Sequence, residues 1–276
     1  MERRKLKRCF RILLLLIVLI CLVQVGRERY LSVRYQRQQE QLRNAYRAGS
    51  SQENAAPRHE GVSENSLGEL VKGSLVEREP QQPQMLDRFK ELYEQNNELV
   101  GWLSIEGMAI DFPVMQGVDD EYYLKHDFYK NEDKHGVPYV RTRADVNAPG
   151  TNFIIYGHNM FDGSMFAPLE KYQKESFYRE HPVISFDTLY EARTYEIVAV
   201  FLSKVYNEGD DVFKYYQFYQ ANTEGEFSYF YENIKELALY DTGVTAEFGD
   251  NFLTLSTCSY HTEDGRLAVV AKQVTP

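Results

Sequence analysis

The stretch NFLTLSTCSYHTEDGRLAVVAKQ, residues 251–273, decides how this chain is read. Asn251 to Ser256 is a short run of Leu, Phe and Thr, long enough for a strand and too short for a helix. Arg266 to Gln273 is a second apolar run dominated by Val, Ala and Leu. Between them lies a polar loop ending Glu263-Asp264-Gly265, a turn signal. Paired as an antiparallel hairpin, the two strands bring Cys258 and Arg266, eight residues apart, to one end of a sheet.

More strands are predicted upstream. Gly101–Ile105 and Ala109–Val114 flank a Glu106-Gly107 turn, and Gly136–Val140, Asn152–Tyr156, Val183–Phe186 and Arg193–Ser203 follow, making roughly eight in all. The apolar Asn152–Tyr156 reads as buried. Helices are few. Met85, Leu86, Phe89, Leu92 and Tyr93 fit helical spacing, and Glu121–Asp127 allows a helical turn or two. A long insertion precedes the Cys strand. In it, Thr223 and Glu226 form a capping box ahead of Phe227, Phe230, Tyr231, Ile234 and Leu237, an aromatic stripe expected to face inward. Many strands with peripheral helices predict a mostly β fold, a closed barrel.

The N-terminus is different in kind. Six Lys and Arg crowd residues 1–11, and residues 12–26 carry no charge. Fifteen residues are short for a spanning helix, but Cys9 and Phe10 extend the run if Arg11 snorkels to the headgroups. The basic flank should stay cytoplasmic and place the bulk outside, as a single-pass, uncleaved signal-anchor in membrane lipid. No small-residue cleavage site follows Val23. Tyr30–Arg47 reads as a charged juxtamembrane helix, and Gly49–Gln84, rich in Ser, Glu, Pro and Gln, as a flexible spacer. The boundaries expected are therefore residues 1–11, 12–26, 27–84 and a folded domain at 85–276.

The net charge of −10 conceals a split. Residues 1–48 hold 12 Lys and Arg against 3 Glu, whereas residues 85–276 hold 16 basic against 32 acidic side chains. So acidic a domain argues against nucleic-acid binding. Three Cys exclude a disulfide scaffold. Cys9 and Cys21 fall at the apolar segment as packing or acylation sites, leaving Cys258 alone in the outer domain. One Cys and six scattered His offer no ligand spacing, so neither metal nor cofactor is expected.

Three side chains stand at strand ends: His158 after Phe153–Tyr156 and a Gly, Cys258 after Leu253–Thr257, and Arg266 opening the last strand. Singly, each has an ordinary role: a buried small hydrophobe, a turn residue, a surface ion pair. Together they fit thiol chemistry. A thiolate attacks, an imidazole moves the proton, and a guanidinium fork supports the developing oxyanion. His261, three residues after Cys258, competes for the role of base, but a loop holds a base less well than a strand end does.

At these residues the chain resembles a sortase, and specifically the class B branch. Leu253-Thr254-Leu255-Ser256-Thr257-Cys258 matches the TLxTC signature, and Gly265–Lys272 the final Arg-bearing strand. Ile155–Met160 with Asp162–Phe166 is similar to the class B histidine region, and Val100–Leu103 and Phe112–Gly117 to class B openings. The likeness covers residues 85–276. It implies an eight-stranded sortase barrel with an N-terminal helix and a long helix before the Cys strand. It also implies a cysteine transpeptidase on a Gram-positive surface. Cys258 would be the nucleophile, His158 the general acid and base, and Arg266 the oxyanion or substrate stabiliser. Surface proteins bearing a C-terminal sorting motif would be cleaved after Thr. The acyl group would pass to an amine of peptidoglycan precursor or of another protein such as a pilin. Tyr260 stands where some class B members carry an acidic residue, so no catalytic carboxylate is assigned, and no calcium is expected. A cysteine peptidase using water as acceptor shares the same residues, and a non-catalytic interaction module with a buried Cys is the alternative of another class.

Overall fold

The computed structural model describes residues 2–55 and 83–274. It divides into two compact units, Met1–Asn44 and Ala45–Pro276. The first is helical throughout its described residues, within helix α1 (Glu2–Ala55), and its apolar side chains from Phe10 to Val25 are exposed. By length and composition this helix can cross a membrane.

The second unit takes in the last turns of α1. Helix was expected to stop at Arg47, but it continues through Gly49 to Ala55, and residues 56–82 of the expected spacer lie outside the described residues. The extension has a packing cause. Tyr46 stacks on Trp102 with ring centroids 4.3 Å apart and donates to Asp187 at 2.6 Å. Arg88 bridges Asp187 at 2.6 Å and Glu53 at 2.7 Å. Gly49 suits the crossing, because a Cβ there would lie 2.4 Å from the Arg88 Cα. The compact unit thus begins well before Met85.

Helix α2 (Asp87–Gln95) buries Phe89 and Leu92 as its spacing predicts. The strands are β1 (Leu99–Ser104), β2 (Asp111–Met115), β3 (Asn152–Tyr156), β4 (Val183–Thr188), β5 (Thr194–Lys204), β6 (Phe252–Cys258) and β7 (Gly265–Gln273). They form one sheet in the order β2-β1-β4-β5-β7-β6-β3. The expected strand Gly136–Val140 is not one, so the described residues hold seven strands rather than eight. Gly136 is left-handed (φ +60°) and Pro138 has no N–H to give a ladder. The segment still closes the barrel. The Met115 N–H donates to the Pro138 carbonyl, and Tyr139 exchanges both backbone bonds with Tyr156 of β3. The expected turns near Glu121 reduce to a 3-10 turn, Tyr122–Leu124.

Inside the barrel Phe153 and Phe186 stack at 5.6 Å. A short helix α3 (Glu175–Glu180) precedes β4, and helix α4 (Glu224–Leu237) lies in the long insertion. Thr223 caps α4 by accepting from the Glu226 N–H at 3.2 Å. Phe227, Phe230 and Ile234 are buried with Ile154, Phe201, Phe252, Ala268 and Val270, on the outer face of the barrel, whereas Leu237 at the end of the stripe is exposed. This second cluster covers the lower part of the face whose upper end carries the candidate site.

Candidate active site

Alternation along the strands selects one face. β3 runs parallel to β6 with Ile154 opposite Thr254 and Tyr156 opposite Ser256. β6 runs antiparallel to β7 with Cys258 opposite Arg266 and Ser256 opposite Ala268. Paired residues share a face, so Tyr156, Ser256, Cys258 and Arg266 project together from the barrel's outer side. The hairpin expected from residues 251–273 is therefore present, with Cys258 and Arg266 adjacent.

What the sequence could not place is His158. The parallel register carries the chain that holds His158 to the same end of the sheet as Cys258, each lying two residues beyond the last register pair, Tyr156 with Ser256. Three hydrogen bonds hold the chains together past the end of β3. The Gly157 N–H donates to the Ser256 carbonyl (3.2 Å), Thr257 Oγ1 to the Gly157 carbonyl (2.7 Å), and Asn159 Nδ2 to the Cys258 carbonyl (2.9 Å). Gly157 has to be Gly, because a Cβ would stand 2.7 Å from the Phe166 ring.

His158 Nε2 lies 2.8 Å from the Leu124 carbonyl. A carbonyl only accepts, so Nε2 carries a proton and the neutral ring keeps its lone pair on Nδ1. Cys258, His158 and Arg266 are all partly buried, open enough to meet a substrate. Arg266 turns one nitrogen back to the Asp264 and Gly265 carbonyls at 3.2 and 2.9 Å, which fixes its head while other donors remain. His261 sits exposed in the turn after Cys258, with its ring against Gly265. Under the site, Tyr215 Oη and Ser256 Oγ are 2.8 Å apart. Burial pushes the Tyr215 hydroxyl up to about 12 against the opposing pull of Ser256 and Arg266.

Several contributors left no sequence signal. Leu124 acts through its main chain. Asn159 joins Glu170 (3.0 Å) to the Cys258 carbonyl. His135 is buried between Asp133 (Nδ1, 2.6 Å) and Asp162 (Nε2, 3.2 Å), and Asp162 belongs to the loop that follows His158. Among the described residues no group of three His, Cys, Asp or Glu is arranged to hold a metal ion.

Comparison with known proteins agrees with this fold. Residues 103–274, more than half of the chain, match the sortase domain family. Sortase B of Listeria monocytogenes is 34% identical over 196 residues, spanning 68% of this chain and 75% of that protein. A crystal structure of sortase B from Bacillus anthracis superposes with a TM-score of 0.62 at 34% identity, covering 72% of this chain and 91% of the other. The Staphylococcus aureus sortase B–substrate complex shares the fold, with a TM-score of 0.70 over 88% of this chain and 97% of that one, at 23% identity. A chain so matched belongs to the sortase family of cysteine transpeptidases, and to its class B branch.

Proposed function

We propose that Cys258, His158 and Arg266 carry the transpeptidation. The pairing of Cys258 with Arg266 across β6 and β7, together with the β3–β6 pairing that ends two residues before His158, is the observation that supports it most directly. The Cys258 thiol passes its proton to His158 Nδ1, and the sulfur attacks the carbonyl of the Thr that ends the recognised part of a sorting motif. The tetrahedral oxyanion forms within reach of the Arg266 fork of donors. His158 gives a proton to the departing amine, and the C–N bond breaks to leave a thioester on Cys258. An incoming amine attacks the thioester, loses a proton to His158 and releases the thiol. With Nε2 engaged on Leu124, Nδ1 is the nitrogen free for this exchange. The clients are surface proteins with a C-terminal sorting motif, and the acceptor is an amine of peptidoglycan precursor or of another surface protein.

The first unit serves as an uncleaved signal-anchor in lipid through residues 12–26, with residues 1–11 cytoplasmic and the catalytic unit outside. Support comes from the basic flank, the exposed apolar helix and the absence of a cleavage site. N-terminal sequencing of membrane-extracted protein tests it, and a mature chain beginning near residue 25 overturns it.

The catalytic reading is tested by incubating the protein with a library of sorting-motif peptides, with and without an amine, and identifying products by mass. Cys258→Ala should abolish cleavage and transfer, His158→Ala should remove nearly all turnover, and His261→Ala should be mild. A folded Cys258→Ala protein that still cleaves sinks the assignment. An active His158→Ala beside a dead His261→Ala moves the base to His261.

A further inference from the structure

A cavity of about 260 Å³ opens on the outer face of β3, upstream of His158. Ile154, Tyr156 and Tyr219 give it mainly apolar walls, and two arginines stand over the aromatic rings. The Arg141 guanidinium lies 5.2 Å from the Tyr156 ring centre and donates to the Tyr219 hydroxyl at 2.9 Å. The Arg143 guanidinium lies 4.3 Å from the Tyr219 ring centre. A guanidinium held over a ring keeps its edge of N–H donors free for a planar acceptor.

Among the described residues neither arginine hydrogen-bonds a carboxylate of the protein. Arg143 has no carboxylate partner among the described residues, and Arg141 meets Asp120 only at 3.8 Å, beyond hydrogen-bond range. Asp145, on the cavity wall, accepts instead from the N–H groups of Asn147 and Ala148. A second, independent observation is the Tyr156 hydroxyl, which is buried and has no hydrogen-bond partner. Buried polar groups without partners are rare and costly, so such a group beside a cavity calls for a ligand to complete it.

The cavity lies along β3, the strand that leads to His158. Tyr156 is two residues before His158 and stacks on Tyr139 at 5.6 Å. Tyr139 lies within the electrostatic reach of Arg141 and also of Arg266 and Cys258. At about 3.3 Å per residue, Tyr156 to Asn152 spans roughly 7 to 20 Å along the strand from His158. An extended peptide whose scissile carbonyl sits at Cys258 covers most of that distance with residues two to five positions away.

We propose that this cavity is a subsite for a carboxylate of a peptide substrate, gripped by Arg141 and Arg143 with the Tyr156 hydroxyl as a further donor. The inference rests on the transpeptidase reading above. The carboxylate comes either from an acidic residue near the sorting motif or from the amine acceptor, and two arms of one experiment separate these sources. In the donor arm, a peptide cleaved by the full-length protein in detergent is remade with Glu or Gln at each of the second to fifth residues before the scissile Thr. In the acceptor arm, transfer to lysine is compared with transfer to lysinamide.

The expected result is a preference of roughly tenfold or more for the charged member in one arm, as befits hydrogen bonds to a charged group. Arg141→Gln with Arg143→Gln should erase that preference while uncharged peptides still acylate Cys258, and Tyr156→Phe should weaken it. Arg143→Gln alone, at an exposed position, should reduce it without any risk to folding. Acylation of Cys258 with no charge preference in either arm, or a preference that survives loss of both arginines, overturns the subsite and leaves the transpeptidase reading standing. Failure of every peptide to acylate Cys258 overturns both.

Discussion

Replacing His135 by Gln should destabilise the protein in a pH-dependent way and slow catalysis. The ring is 1% exposed, and Asp133, which faces Nδ1, is 9% exposed. Both ring nitrogens meet carboxylate oxygens, which the charged imidazolium alone can satisfy on both sides. Burial works against that charge, but the hydrogen bond and charge of Asp133, joined by Asp162, outweigh it and raise the His135 pKa. Burial also opposes ionisation of Asp162, yet the Ser164 hydrogen bonds and then His135 lower its pKa.

Breaking a buried pair from one side costs about 3–5 kcal/mol. Asp133 keeps a backbone bond from the His135 N–H at 2.9 Å, which points to the lower end, about 3 kcal/mol. The bond to Asp162 adds little, about 0–1 kcal/mol, because that carboxylate is 45% exposed. For a unit of this size the loss corresponds to a fall in Tm of roughly 6–12 °C. A raised His pKa stabilises fully below the unfolded value of about 6.5 and is lost as pH climbs through the folded value. A lowered Asp pKa stabilises above about 3.8 and is lost as pH falls through the folded value. The gap between wild type and His135→Gln should therefore be widest near pH 5–6.5 and narrow towards alkaline pH. Thermal melts by circular dichroism from pH 4 to 9 measure it. Turnover should fall as well, because Asp162 tethers the loop that follows His158 and small displacements of a reacting group are costly. A gap that is flat with pH, or that widens above pH 8, refutes the ion-pair argument.

Arg266→Lys should lose about 10²–10³ in single-turnover acylation, since one ammonium cannot replace a fork of donors; wild-type rates in the Lys variant would remove Arg266 from the oxyanion site. Gly157→Ala should cost about 1–3 kcal/mol and depress turnover, because its Cβ meets the Phe166 ring at 2.7 Å beside His158; unchanged melting and activity would contradict that contact. Tyr46→Phe should cost about 1.5 kcal/mol for the bond to Asp187 while keeping the stack on Trp102, and Tyr46→Ala about 0.5–1.5 kcal/mol more. Urea titration decides that last point, and a protein beginning at Met85 that matches the full unit in stability would show that residues 45–55 are dispensable.

Legibility in this chain follows the range of the interaction that fixes each feature. The β6–β7 hairpin is written locally, in two apolar runs and an Asp264-Gly265 turn, so the pairing of Cys258 with Arg266 could be read from 23 residues. The α4 cap is equally local, in Thr223 and Glu226. The pairing of β3 with β6 is not, because nearly a hundred residues separate Asn152 from Phe252 and parallel strands share no turn. Yet that pairing is what carries the His158 segment to the end of the sheet where Cys258 lies. Gly136–Val140 misled for the opposite reason: its apolar residues have strand character, but Gly136 and Pro138 leave only isolated bonds, which suffice to close the barrel. At Gly49 composition suggested a spacer, whereas tertiary contacts of Tyr46 and Glu53 with Asp187 and Arg88 hold the helix to Ala55. The Leu124 carbonyl that sets the His158 tautomer is available from any residue type, so no sequence pattern marks it. The proposed nucleophile and its neighbours are thus specified by side-chain identity, and the orientation of the proposed base by backbone geometry formed only when the barrel closes.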